Sequence, residues 1–208
     1  MNLVIIGASG LAREVFDLAH VCYGHLPHFN VKGFLSDSPS IIHQMGYPKV
    51  LSSVADYEIE EGDVFFCAIG KVSDRKKTTE IILKKGGTFI NLIHPTAIIS
   101  PSAKIGQGVA IKAFSSLASD VILRDFVFLQ SSVIMGHDVI IESYCQVNSF
   151  AFFAGYVHVE ELCTINAGAK LIQNVRVGTG ATVGVGSVVL NKVKPNTTVF
   201  GVPAKVIM

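Results

Sequence analysis

The chain has 208 residues, half of them hydrophobic and 16% charged, with a formal net charge of +1. That length admits one large or two small domains with a sizeable core. No run of about 18 uncharged apolar residues is present to span a bilayer, and no Lys/Arg block marks a nucleic-acid surface, so buried apolar surface and small-molecule chemistry are expected.

In chain order, Leu3 to Ile6 is a short apolar run that enters the turn Gly7 to Gly10 (GASG) with no basic region before it. It reads as a strand and not as a secretory leader. Leu11 to Ala19 then carries apolar residues at helical spacing. Val31 to Leu35 and Val64 to Ile69 read as buried strands, and Lys76 to Lys85 as a helix that ends at Gly86 and Gly87. This alternation predicts a small parallel α/β domain, Rossmann-like, over residues 1–92. A strand, a Gly-rich turn and a helix N-terminus make an anion site, because free N–H groups and the helix dipole face the ligand. Gly7, Ser9 and Gly10 are therefore candidate substrate-binding residues, with Asp37 beyond the second strand and Gly70 after the third. The same pattern admits a nicotinamide-dependent oxidoreductase, although the third glycine of that fingerprint is missing. The four cysteines, Cys22, Cys67, Cys145 and Cys163, form no C-x-x-C pair. They argue against a disulfide framework or a zinc knuckle and fit a reducing cytoplasm.

The period changes after Asn91 to Thr96. From Ile99 to Val189 every sixth residue is large and apolar, sixteen positions in all. Two residues before each stands a small or β-branched one, from Ala97 through Val133 to Ser187. A hexapeptide repeat of this kind builds a parallel β-helix, here over residues 93–208, with the small residues expected at its corners. Three hexads per triangular coil, by resemblance to left-handed hexapeptide-repeat proteins, put residues 18 apart directly above one another. Phe126, Tyr144 and Leu162 then form an apolar ridge, expected on the outside as a subunit interface.

The same count places Gly155 one coil above His137. An imidazole able to take a proton, beside a backbone N–H able to hold an oxyanion, is the minimum constellation for acyl transfer. Asp138 can fix the imidazole's tautomer if the chain turns a corner there, since neighbours along a strand point to opposite faces. His94, His158 and the N-terminal histidines have no comparable partners. His137 and His158 differ by 21 and no third histidine joins them, so no metal is expected. A non-catalytic β-helix, whose glycines only turn corners, is the remaining alternative.

The motifs GASG, GFLSD from Gly33 to Asp37, NLIHP from Asn91 to Pro95, the unbroken hexads, SSVIMGHD from Ser131 to Asp138 and GVPAK from Gly201 to Lys205 together span nearly the whole chain. In them the sequence resembles the bacterial sialic acid O-acetyltransferase and nucleotide-aminosugar N-acetyltransferase family. The resemblance implies a homotrimer of left-handed β-helices with acetyl-CoA as co-substrate in the cleft between neighbours, and an N-terminal domain that holds the nucleotide of a sugar. It implies His137 as general base, Asp138 as its orienting carboxylate and Gly155 as oxyanion donor. Asn166, Ala167, Gly184, Val185 and Gly186 would line the path of the pantetheine and acyl group. Two positions depart from the family pattern: Leu11 stands where many members have histidine, and Gln146 where aminosugar N-acetyltransferases often have a second histidine. The acceptor, amine or hydroxyl, is thereby left open.

Overall fold

In the computed structural model, which describes residues 1–38, 40 and 42–208, the first apolar run forms strand β1 (Asn2–Ile6). It lies inside a parallel sheet of order β3-β2-β1-β4, with β2 (Asn30–Leu35), β3 (Val50–Ser52) and β4 (Asp63–Cys67). Leu3 to Ile6 are wholly buried, as a parallel strand covered on both faces must be, which is why the run is continuously apolar. Helix α1 (Gly10–Tyr23) follows the Gly-rich turn and α2 (Val72–Lys84) follows β4. α2 starts at Val72 and not at Lys76, because its first turn is polar and shows no apolar period; the Lys71–Asp74 ion pair of 3.3 Å sits there instead. The edge strand β3 and a 3-10 turn over Ile42–Met45 are too short for the sequence pattern to register. These elements make up one compact unit, Met1–Leu92.

The second unit, Ile93–Met208, is a left-handed parallel β-helix. Up to Val188–Val189 its strands are two residues long and recur every six, as at Phe128–Leu129, Ile134–Met135 and Ile140–Ile141. From Ile98–Ile99 to Lys170–Leu171 each pairs in parallel with the strand 18 residues on, so Ile134 lies beside Phe152 and Phe152 beside Lys170. The large apolar column points inward: Leu129, Met135, Ile141 and Val147 are all at most 1% exposed. Each such side chain stabilises the fold by roughly 1.5–3 kcal/mol before its entropy cost.

Two expectations are corrected. The small-residue column is not at the corners but inside them: Val133, Val139, Cys145 and Ala151 are completely buried and fill the narrow parts of the prism. The corners are the residues just before, which take left-handed backbone, for example Ser132 (φ 61°), Asp138 (58°) and Tyr144 (63°). The ridge of Phe126, Tyr144 and Leu162 is not an open surface either. The Phe126 ring lies over Gly108, whose missing Cβ leaves it room, and stacks on Tyr144 at 5.0 Å, so Phe126 is only 2% exposed. Exposed apolar side chains gather instead on the face that carries Ile98, Ile134 and Phe152 and along its edge at Phe114 and Phe150, with others in the last coil and the C-terminal segment.

Candidate active site

At residues 137–138 the chain leaves that apolar face and turns a corner. The left-handed backbone at Asp138 (φ 58°) swings its side chain round to the imidazole instead of to the opposite side, and Asp138 Oδ2 lies 2.8 Å from His137 Nδ1. A carboxylate only accepts, so Nδ1 carries the hydrogen and the lone pair of the neutral ring is at Nε2. Both side chains are half exposed. Gly155 lies one coil above: a Cβ built on it would stand 2.7 Å from both Cε1 and Nε2 of His137. Its carbonyl accepts from Asn174 N–H, while its own N–H has no hydrogen-bond partner among the described residues. A Cβ on Gly136 would in turn meet Gly155 N at 3.0 Å, so two glycines keep the approach to that N–H clear. His137, Asp138 and Gly155 are thus one cluster.

Asn166, Ala167, Gly184, Val185 and Gly186 form a second cluster at a different corner, the one where the chain enters the apolar face. Gly186 N–H donates to Ala167 O at 2.9 Å. Val185 is 61% exposed, and nothing approaches the Cβ position of Gly186 within 4 Å. The ring of Phe200, which the sequence reading did not single out, covers Gly184. Within one chain the apolar face separates this corner from His137.

In the N-terminal unit, the turn after β1 is tight because Gly7 adopts φ 105° and a Cβ there would meet Ala68 O at 2.9 Å. Ser9 caps α1 without a side-chain hydrogen bond, and the N–H groups of Gly10 and Leu11 have no partner among the described residues. A cavity of about 540 Å³ opens beside the turn, lined by Gly7, Ser9 and Asp37 and by Asp74, Lys77 and Thr78 of α2. One oxygen of Asp37 accepts from Val54 N–H at 2.9 Å. Gly10 lines a neighbouring cavity of about 330 Å³ together with Arg13. Gly70 is exposed and lines neither; its segment is tied down by the buried Arg75, whose Nε donates to Ile69 O at 2.9 Å. Asp74, Lys77, Thr78 and Arg13 were missed by the sequence reading. For Asp74, Lys77 and Thr78 the signal was present as the spacing 74, 77, 78, one face of a helix on which polar residues stand where apolar ones are expected; Arg13 carried no such signal.

The N-terminal unit matches the family model "PglD N-terminal domain" over residues 2–82. The acetyltransferase domain of PglB from Neisseria gonorrhoeae, solved with acetyl coenzyme A, is 30% identical and superposes with a TM-score of 0.89 over 99% of this chain and 98% of that one. The chain belongs to the sugar acetyltransferase family. A mutant of perosamine N-acetyltransferase from Caulobacter crescentus, solved with CoA and GDP-perosamine, is 26% identical, with a TM-score of 0.87 over 99% and 96% of the two chains. UDP-N-acetylbacillosamine N-acetyltransferase from Bacillus subtilis is 46% identical over 50 residues, 24% of this chain. The matched regions span about a quarter of the length of the curated relatives, 24% and 23%.

Against this family, Gln146 and Leu11 acquire definite surroundings. Gln146 is 6% exposed and donates from Nε2 to Asn148 Oδ1 at 3.1 Å. Asn148 Nδ2 donates to Asn166 Oδ1 at 3.1 Å, and Asn166 Nδ2 to Val183 O at 2.9 Å. The Val183 carbonyl can only accept, and that sets the direction of the whole amide ladder. The Asn166 side chain is therefore engaged at both ends, and a cofactor would meet its backbone and the small residues beside it. Leu11 packs toward Gly70, whose Cβ position is 3.8 Å from its Cδ2. Leu11 thus presents an apolar side chain beside the turn.

Proposed function

We propose that the chain transfers the acetyl group of acetyl-CoA to an amino or hydroxyl group of a nucleotide-linked sugar, working as a homotrimer in a reducing cytoplasm. The reading is carried by the His137 corner: an imidazole oriented by Asp138 at 2.8 Å, beside a glycine N–H left without a partner and kept clear of side chains.

In this mechanism His137 Nε2 takes the proton of the acceptor as its nitrogen or oxygen attacks the thioester carbonyl. The tetrahedral oxyanion forms against the Gly155 N–H. When the intermediate collapses, the C–S bond breaks and the CoA thiolate recovers the proton from the imidazolium, while Nδ1–H stays on Asp138 throughout. The 540 Å³ cavity of the N-terminal unit would hold the nucleotide, its phosphates at the free N–H groups that open α1. The names of two relatives specify N-acetylation, which favours an amine over a hydroxyl acceptor.

Thermal-shift measurements with acetyl-CoA, CoA, NAD and a panel of nucleotide sugars test the assignment. Stabilisation by the CoA species and by at least one nucleotide sugar, but not by NAD, is expected. His137→Ala should lower kcat/KM by about 10²–10⁴-fold without loss of CoA binding. Near-normal turnover by that variant, or stabilisation by NAD alone, overturns the reading.

A further inference from the structure

Tyr156 stands one coil above Asp138, directly after Gly155, at a corner where its backbone adopts φ 61°. A bulky side chain there is unfavourable, and glycine serves the equivalent corner position at Gly168, Gly180 and Gly186. At another corner the bulky pair Phe126 and Tyr144 contact one another. Tyr156 is 52% exposed, and its ring partner is the imidazole of His137, at a centroid distance of 4.9 Å and an interplanar angle of 86°. Its N–H donates to His137 O at 3.0 Å, which ties the two backbones together, and its hydroxyl has no partner among the described residues.

A half-exposed histidine held by one hydrogen bond to a half-exposed carboxylate is weakly restrained, because water competes for both groups. Gly155 clears space along one side of the ring and so cannot hold it. The perpendicular aromatic contact is the remaining restraint, in a geometry that aromatic pairs favour.

We propose that Tyr156 is a positioning residue for His137: its ring keeps the imidazole turned so that Nδ1 stays on Asp138 and Nε2 faces the cleft. The aromatic ring does this, not the hydroxyl. The catalytic part of the inference rests on His137 being the general base, whereas the restraint on the ring does not.

Two variants separate the contributions. Tyr156→Phe keeps the ring, and Tyr156→Asn removes it while preserving the turn, since Asn174 holds the same corner one coil on with φ 64°. Tyr156→Phe should stay within about 3-fold of wild-type kcat, and Tyr156→Asn should lose about 10- to 100-fold in kcat with the KM for acetyl-CoA unchanged. Independently of turnover, the ¹⁵N shifts of the His137 ring should report the single Nδ1–H tautomer in the wild type and in Tyr156→Phe, and a mixture in Tyr156→Asn. Wild-type kcat and tautomer in Tyr156→Asn would overturn the proposal, as would an equal loss in Tyr156→Phe. If His137→Ala remains active, the general-base reading fails, yet the ¹⁵N shifts still decide whether Tyr156 restrains the ring.

Discussion

A methyl group on Gly155 would stand 2.7 Å from two atoms of the His137 ring, and Gly155 does not need a left-handed backbone. Alanine there is tolerated by the main chain and rejected only by the imidazole, which is half exposed and can be pushed off its Asp138 and Tyr156 contacts into solvent. Gly155→Ala should therefore fold with a melting temperature close to wild type and lose about 10²-fold in kcat/KM, by displacing the base and crowding the oxyanion donor. Steady-state kinetics beside a melting curve check this; a large drop in melting temperature would instead make the glycine structural. The proximity of Gly155 to His137 was legible in the sequence, because an unbroken period of six converts a numerical separation of 18 into a spatial neighbour. The Asp138 contact was legible only as a condition. Strand alternation sends adjacent side chains to opposite faces, and the left-handed φ of 58° at Asp138 meets that condition.

At the scale of an element, the face of the prism that carries His158 and Arg176 is held by a polar ladder. His158 Nε2 lies 3.2 Å from Glu142, and Arg176 Nε donates to Glu160 at 2.7 Å. Thr179 gives Glu160 both its N–H and its hydroxyl at 2.9 Å. The Arg176 hydrogen bond, followed by those from Thr179, lowers the Glu160 carboxyl from its ordinary 4.5 to about 2. A depressed carboxylate contributes stability above its unfolded pKa and loses it as pH falls through the folded value. Glu160→Gln should accordingly melt below the wild type at neutral pH, with the gap closing between about pH 4.5 and pH 2. A gap that stays constant as the pH falls would show that the charge is not what matters. None of these partners could be read from the chain, because separations of 16 and 19 join outward positions of different hexads, and the repeat specifies inward ones.

Over the whole molecule, the decisive fact is that the two candidate clusters occupy different corners of one prism, with an exposed apolar face between them at Ile134 (49%) and Phe152 (41%). The proposed homotrimer would account for this separation, with the cleft formed between neighbouring copies and the apolar face buried by a neighbour. Complementation tests this directly. Gly186→Phe should fill the cofactor side without disturbing the turn, since Phe150 occupies the same corner two coils below with φ 62°. Gly186→Phe and His137→Ala should each be inactive alone. Co-assembled in equal amounts, they should recover about a quarter of wild-type activity, because each site draws one residue set from each of two independently chosen copies. No recovery in verified mixed assemblies would place the whole site in one chain.

The sequence by itself determined the parallel α/β unit, the β-helix and the stacking of Gly155 on His137. All of these follow from periods of apolar residues, and burial acts on such periods without regard to detail. It misjudged the Phe126 ridge and the small-residue column for one reason: hydrophobicity says that a side chain must be covered, but not by what. Phe126 is covered by its own column, over a glycine and under Tyr144. Only the tertiary structure decided which corners turn left-handed, and those dihedral angles bring Asp138 and Tyr156 onto the imidazole.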